Sequence, residues 1–432
     1  MANITDILSK CLSSKNVCID SRKLERGDFF VALKGSHTSG NQFVRQALNQ
    51  GASYALIDDP SINIDDRCIL VDDALKTLQE IATEYRRLLK NMTVLCIAGS
   101  NGKTTTKELL YHVLSKRYNT YCTLGNLNNH IGVPLSILNC STTHEIAVIE
   151  IGANHCGEHT LLCNIAQPNF GIITNCGKDH LDGYGSIEGV IQSNNELYEY
   201  IRSNHGHVFV NSDDNTLMDL SRDLSRTLYG TRKEGEHVNA SINSLYPTLE
   251  LTINNGHKNW TVQSQLYGTF QASNIAAALS IGHYFNIDMN QMLDAIKRYI
   301  PKNNRSEAMN WHGNKVLLDA YNANPSSVVG MIEYFKDLSH MNKVIILGDM
   351  AELGSSSFGE HKQIVDHLKS LINCQVILVG NEFEPFINEL NCLFFKDTTK
   401  LMHYIKDKTP FQNATILVKG SRRHSLETLF RS

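Results

Sequence analysis

Apolar runs and helix-length segments alternate along most of the chain, most regularly in the last third. Short apolar runs occupy residues 316–318, 344–347, 376–379, 392–395 and 416–418, with segments such as 326–338 and 358–371 between most of them. Strand-like runs separated by helical segments predict βαβ units and a mostly parallel sheet. The middle of the chain repeats the rhythm in a larger unit. Residues 94–97, 146–149 and 171–174 are continuous apolar runs, as expected for strands buried on both faces. Leu109, Leu110, Val113 and Leu114 recur at helical spacing after the first of them. The first 90 residues differ, with shorter strand-like runs at 17–19, 29–33, 55–57 and 68–71 and two helical stretches. The charged segment 84–90 reads as the end of a helix leading into the next unit. No internal repeat or low-complexity tract stands out. The pattern predicts an α/β chain in three units, 1–90, 91–300 and 301–432, within the two to four domains that 432 residues allow.

Composition narrows the class. Apolar residues make up 42% and charged residues 19% of the chain, with 8 prolines, which is globular composition. A formal net charge of −4 argues against a sequence-independent nucleic-acid binder or a basic membrane-surface protein. No apolar run approaches the ~18 residues of a membrane span. The first 20 residues carry Asp6 and Lys10 and lack the apolar core of a secretory signal. The 11 cysteines are odd in number and scattered, without CxxC or zinc spacing, so they read as reduced thiols of a cytosolic protein.

The strongest chemical signal is Gly99-Ser100-Asn101-Gly102-Lys103-Thr104-Thr105, which leaves a buried strand and opens an amphipathic helix. Glycines let the backbone wrap so that several N–H groups converge on phosphate oxygens, and the helix N-terminus adds partial positive charge. Lys103 would reach the terminal phosphates and the Thr104 hydroxyl would hold Mg²⁺. The spacing is a shortened GxxGKT rather than GxxxxGK[ST]. A glycine turn can also cap a helix without binding anything, but the strand, the lysine and three threonines together favour the phosphate loop. Glu150 ends another buried run, where ligands of open α/β sheets bind, and is placed to bind Mg²⁺. His180 closes Thr174-Asn175-Cys176-Gly177-Lys178-Asp179-His180 at a third strand end; it is a candidate for a second metal or for orienting a reacting group, although a lone histidine is more often structural. In the last unit, Asp319-Ala320-Tyr321-Asn322-Ala323-Asn324-Pro325, Gly348-Asp349-Met350-Ala351-Glu352-Leu353-Gly354 and Lys419-Gly420-Ser421-Arg422-Arg423 end three strands and describe one ligand-binding edge.

Together these motifs resemble the Mur ligase family over nearly the whole chain. The resemblance extends to Asp20-Ser21-Arg22, to Gly27-Asp28-Phe29-Phe30-Val31-Ala32-Leu33-Lys34-Gly35 and to Lys107-Glu108. Gly125-Asn126-Leu127-Asn128-Asn129-His130-Ile131-Gly132-Val133-Pro134 and Glu150-Ile151-Gly152-Ala153-Asn154-His155 resemble in particular the members that add D-alanyl-D-alanine to UDP-N-acetylmuramoyl-tripeptide. The resemblance implies a UDP-substrate-binding domain, a central ATPase domain and a Rossmann-like C-terminal domain. It implies a cytoplasmic, monomeric, ATP- and Mg²⁺-dependent ligase of peptidoglycan precursor synthesis, with no nucleic-acid or membrane partner. By the same resemblance, Gly99, Ser100, Asn101, Gly102, Lys103, Thr104 and Thr105 hold ATP; Asn274 faces adenine, Arg305 the phosphates and Asp319 the ribose. Lys103, Glu150 and His180 are the catalytic candidates, and Thr104, Glu150 and His180 the metal ligands. Ser21 and Arg22 contact the uridine diphosphate end, while Asn126, Asn128, Asp349, Glu352, Lys419 and Arg422 line the remaining substrate site.

The chain departs from the family pattern at two places. Gln271 stands where the GxxNxxN turn carries its first Asn, and Asn194 where many members carry a carbamoylated lysine. Three rival readings follow: a sister ligase for another amino acid, a folylpolyglutamate-type ligase, or a catalytically dead nucleotide-binding regulatory protein. The 125–134 and 319–325 motifs oppose the first two, and retention of Lys103, Thr104, Glu150 and His180 opposes the third.

Overall fold

The computed structural model describes residues 3–35, 38–62, 64–232, 238–246, 248–302, 304–338, 342–408 and 411–431. Its described residues form three sheets, of four, nine and six strands. The first is wholly parallel, with Val17–Cys18, Phe29–Val31, Tyr54–Ile57 and Cys68–Leu70 side by side in chain order. The central sheet is parallel from Thr120–Cys122 through Ile146–Glu150, Thr93–Ala98, Phe170–Ile173, His207–Asn211 and Ser225–Gly230 to Val238–Ser244. Glu250–Asn254 and Asn259–Gln263 then add antiparallel strands at one edge. The last sheet runs Glu307–Trp311, Asn314–Asp319, Thr415–Lys419, Lys343–Gly348, Cys374–Val379, Cys392–Phe395, parallel except for its first pair.

The continuous apolar runs are the fully buried middles of these strands. Val94, Leu95, Cys96 and Ile97 are wholly inaccessible, as are Ala147, Val148 and Ile149, because helices cover both faces. The strands from His207 to Gln263 were not singled out by the sequence pattern. Val238–Ser244 and Glu250–Asn254 bury every second residue over part of their length, so they carry weaker period-two signals than the central runs. The last sheet likewise gains an edge strand through a hairpin at His312-Gly313, where both residues have positive φ (45° and 77°). That geometry matches the twist of tightly paired strands.

The boundary near residue 90 is packed. Helix Ala74–Leu88 has Asp73 as its N-cap, accepting from the Lys76 N–H, and places Leu78, Ile81 and Tyr85 in one core with Val94, Ile149 and Leu162. The Tyr85 hydroxyl donates to the Cys140 carbonyl (2.8 Å), and buried Arg86 donates to the Ala166 carbonyl (3.0 Å). All eleven cysteines are free thiols. No helix among the described residues is long and apolar enough to cross a membrane.

Candidate active site

Strand Thr93–Ala98 ends in a loop whose shape is set by neighbouring backbone. Gly99 (φ 124°) and Gly102 (φ 83°) occupy conformations that favour glycine. A Cβ on Gly102 would stand 2.7 Å from Asn274 Oδ1. The next strand end clamps the loop from the side. The Thr174 hydroxyl and the Asn175 amide donate to the Asn101 carbonyl (2.7 and 2.9 Å), the Asn101 N–H donates to Asn175 Oδ1 (3.1 Å), and the Ser100 hydroxyl donates to Asp179 (2.5 Å). Helix Lys103–Leu114 therefore starts in a fixed place, with no side chain capping its first amides. Those free N–H groups and the helix dipole make an anion cradle. Lys103 Nζ donates to the Gly99 and Ser100 carbonyls within the same loop.

Glu150 lies beneath this loop and is 1% exposed. Its Oε1 accepts from the Thr104 hydroxyl (3.2 Å) and the Asn128 amide (2.8 Å). Its Oε2 is buried without a hydrogen-bond donor, with Lys107 Nζ 3.7 Å away. A hydroxyl beside a carboxylate with an uncommitted oxygen, next to a phosphate cradle, fits Mg²⁺, which takes few protein oxygens and completes its shell with phosphate and water.

The loop and Glu150 form one wall of a cavity of about 800 Å³ between the central and C-terminal sheets. The far wall comes from strand ends of the last sheet. Lys419, almost fully buried, pairs with Asp319 at 2.6 Å and donates to the Asn322 carbonyl (3.2 Å). Arg305 stacks on Tyr321, its guanidinium carbon 3.8 Å from the ring centre. Between the walls, Asn274 accepts from the Thr106 hydroxyl (3.3 Å) and donates to Gln271 (2.8 Å), whose own amide donates to the Ser306 hydroxyl (2.8 Å). Gln271 thus reaches the segment entering the last domain.

Further contacts hold the walls together: Asn324 donates to Asn101 (3.0 Å), the Lys178 N–H to the Ser326 hydroxyl (3.0 Å), the Asp182 N–H to the Glu352 carbonyl (3.3 Å), Lys178 Nζ pairs with Glu360 (2.6 Å), and His180 Nδ1 lies 2.9 Å from Glu352. Burial pulls the His180 pKa down, but the Glu352 hydrogen bond and charge outweigh it and leave the imidazole raised. Glu352 is correspondingly lowered by His180, against a smaller opposing effect of burial.

Ser100, Asn101, Gly102, Lys103, Thr104, Thr105, Asn126, Asn128, Glu150, His180, Asn274, Arg305, Asp319, Glu352 and Lys419 all line this cavity. The structure gives several other expected residues a different placement or partner. Gly99 shapes the loop without lining the cavity, and Ser21 and Arg22 lie outside it, Arg22 pairing with Asp20. Asp349 is 2% exposed and turned into its own domain, where Arg423 and His424 bind its carboxylate and the Glu382 N–H donates to it. Arg422 pairs with Glu427 at 2.8 Å, also outside the lining. His180 engages Glu352, and no three His, Cys, Asp or Glu side chains among the described residues are grouped to hold a metal. Asn128 spends its amide on Glu150. The sequence reading passed over Asn175, Asp179, Tyr321 and Asn324 as site residues, though all four sit inside motifs it had marked. It missed Ser306 as well, which no motif marks.

Three family models match the chain in order: the Mur ligase family catalytic domain over 14–86, the Mur ligase middle domain over 97–282, and the Mur ligase glutamate ligase domain over 304–422. The UDP-N-acetylmuramoyl-tripeptide–D-alanyl-D-alanine ligase of Bacillus subtilis is 32% identical over 96% of this chain and 92% of its own length. A MurF structure from Acinetobacter baumannii superposes with a TM-score of 0.87 at 26% identity, covering 99% of this chain and 97% of that one. MurF ligase from Thermotoga maritima in complex with ADP gives 0.85 at 27% identity, covering 97% and 96%. With its three domains matched in order and a curated relative alike over nearly the full length of both chains, the protein belongs to the Mur ligase family.

Proposed function

We propose that the protein joins D-alanyl-D-alanine to UDP-N-acetylmuramoyl-tripeptide at the expense of ATP, in cytoplasmic peptidoglycan precursor synthesis. The observation that carries this reading is the cavity itself. A backbone-built phosphate cradle on the central sheet faces Arg305, Asp319 and Lys419 of the C-terminal sheet. A carboxylate does not condense with an amine in water because its oxygen is a poor leaving group. Attack of that oxygen on the γ-phosphorus of ATP releases ADP and leaves an acyl phosphate. The amine nitrogen then attacks the acyl carbon, gives up a proton, and phosphate departs.

The loop amides and Lys103 hold the phosphates and offset charge as the phosphoryl group moves, which is most of what such a transfer requires. Thr104 and Glu150 are the residues that would hold Mg²⁺, which supplies further neutralisation of the phosphate oxygens. Arg305 approaches from the opposite wall, held over Tyr321. The cross-domain contacts of Asn324, Lys178 and His180 bring the two walls together, which limits water that would hydrolyse the acyl phosphate.

Phosphate release tests the reading. It should require the UDP-tripeptide and rise further with D-alanyl-D-alanine. Equal hydrolysis without either acceptor would indicate a motor or regulatory ATPase, and a preference for a single amino acid as acceptor would indicate a sister ligase.

A further inference from the structure

Among the described residues Lys107 is the most fully buried lysine in the central domain, with 2% of its side chain exposed, and the phosphate-binding steps leave it unused. It lies three residues after Thr104 on helix Lys103–Leu114, so both project from one face of that helix. Thr104 reaches one oxygen of Glu150, and the ammonium of Lys107 stands 3.7 Å from the other, the oxygen with no hydrogen-bond donor. The same ammonium donates to the Gly125 carbonyl at 3.2 Å. Gly125 opens the turn that carries Asn126 and Asn128, and Asn128 returns to Glu150 through its amide and receives the Gly152 N–H on its carbonyl (2.7 Å). The Glu150 N–H itself donates to the Thr123 hydroxyl oxygen (3.0 Å), so the carboxylate, its strand end and the turn form one closed circuit.

We propose that Lys107 is a positioning residue, the fixed counter-ion that holds the Glu150 carboxylate in place for a divalent cation and ties it to the Gly125–Asn128 turn on the substrate side. A buried carboxylate without a compensating charge is costly, and a buried ammonium equally so. Each is tolerated here because of the other. At 3.7 Å the ammonium attracts Glu150 without a hydrogen bond to Oε2, which leaves that oxygen's lone pairs uncommitted. Arriving metal therefore meets a carboxylate already set in position. The inference rests on the reading of Glu150 as the metal-facing carboxylate, but the pairing can be tested separately.

The experiment measures thermal midpoints and hydrogen exchange of the metal-free full chain, then repeats both with Mg²⁺ and ADP. Lys107→Met should lower the midpoint by several degrees and speed exchange across residues 123–128. Lys107→Arg should restore most of the loss. Adding Glu150→Gln to Lys107→Met should recover much of the midpoint, because both charges are then gone, while exchange in the turn stays fast because its tether is still lost. Mg²⁺ with ADP should raise the midpoint of Lys107→Met more than that of the wild type, since the dication restores the absent positive charge. Strictly additive losses in the double variant, or equal Mg²⁺-dependent shifts, would overturn the inference. If Lys107→Met alone does not fold, a folded double variant supports the pairing and an unfolded one overturns it. Absence of any Mg²⁺ effect in the wild type would instead count against Glu150 as the metal-facing group.

Discussion

The central and C-terminal sheets both turn strand carboxyl ends toward the cavity, yet they equip those ends differently. The central wall is largely backbone: a loop bent at Gly99 and Gly102, free helix amides, and short polar side chains from 174–179 that hold the loop. The C-terminal wall is built from charged side chains whose direction is set by distant partners, Asp319 by Lys419 and Glu352 by His180. Asp349 shows what that difference entails. It occupies the same kind of strand end as Asp319, but Arg423 and His424 draw it away from the cavity. A site made of backbone is specified by adjacent residues. A site made of charges depends on pairs separated by 74 to 172 positions.

Removing the side chain the central wall depends on should have the largest effect. Lys103→Ala should cut turnover by about 10³-fold or more, a loss of the size seen when a preorganised charge-stabilising group is deleted, with little change in thermal midpoint. Phosphate release by the folded variant near the wild-type rate would break the assignment of this wall. On the opposite wall, Lys419→Met and Asp349→Asn should separate. Lys419→Met strips the buried partner from Asp319 inside the cavity and should reduce both turnover and stability. Asp349→Asn should cost about 2 kcal/mol of stability, the range for hydrogen bonds to a charged group, while the kcat of the remaining folded enzyme stays near normal. Calorimetry and steady-state rates measure both, and equal turnover losses would put Asp349 back in the site. The pH response has a definite sign. Burial pushes the Asp349 carboxyl up, but His424 and Arg423 outweigh it and hold it below the usual carboxylate range. Its contribution is therefore complete above that range and lost as pH falls through the lowered value, so the acid limb of unfolding should flatten in Asp349→Asn.

The same contrast explains what could be read from the chain. The parallel cores were legible because strands buried on both faces are unbroken apolar runs, as at Val94 to Ile97 and Ile345 to Leu347. The phosphate loop was legible because its conformation demands glycine at Gly102 and its chemistry is contiguous. The strands from Val238 to Gln263 were less legible because the burial of the first two alternates over part of their length and their hairpins lie at an edge. The inward turn of Asp349 was hidden because its partners lie 74 and 75 residues away, and nothing local distinguishes it from Asp319.

A smaller effect should follow from closure of the two walls. The raised His180 keeps its charge, and hence its cross-domain pair with Glu352, until pH rises through that raised value. The lowered Glu352 keeps its charge until pH falls through its own. Contact between the walls is therefore strongest between those limits and weakens first on the alkaline side. Small-angle scattering should show the wild type expanding as pH rises past the imidazole range, and Glu352→Gln should remove that dependence. An unchanged radius across the range, or the same expansion in Glu352→Gln, would show that other contacts hold the walls.

The smallest expected effect is none at all, and it bears on whether the central wall is complete as translated. Other members of the family, by the resemblance above, carry a carbamoylated lysine at the position of Asn194. Here Asn194 is 2% exposed on helix Ile187–Ser203, its amide donates back to the Val190 carbonyl (2.9 Å), and it does not line the cavity. An asparagine amide does not form a carbamate. Lys178, the nearest lysine in the adjoining motif, has its ammonium paired with Glu360 at 2.6 Å across the domain boundary, and a carbamate there would replace that attraction with repulsion between two anions. Lys107 lies beneath Glu150, where a carbamate would set two anions side by side in a buried site. Neither Lys178 nor Lys107 is thus placed to take up carbon dioxide usefully. Removing dissolved carbon dioxide, or adding bicarbonate, should leave turnover and its Mg²⁺ dependence unchanged between mildly acidic and neutral pH. Bicarbonate restoring activity lost at low pH, or a carbamate found on a lysine of the site by ¹³C NMR, would mean that the central wall is finished by a modification, and the division between a backbone-built and a charge-built wall would no longer hold.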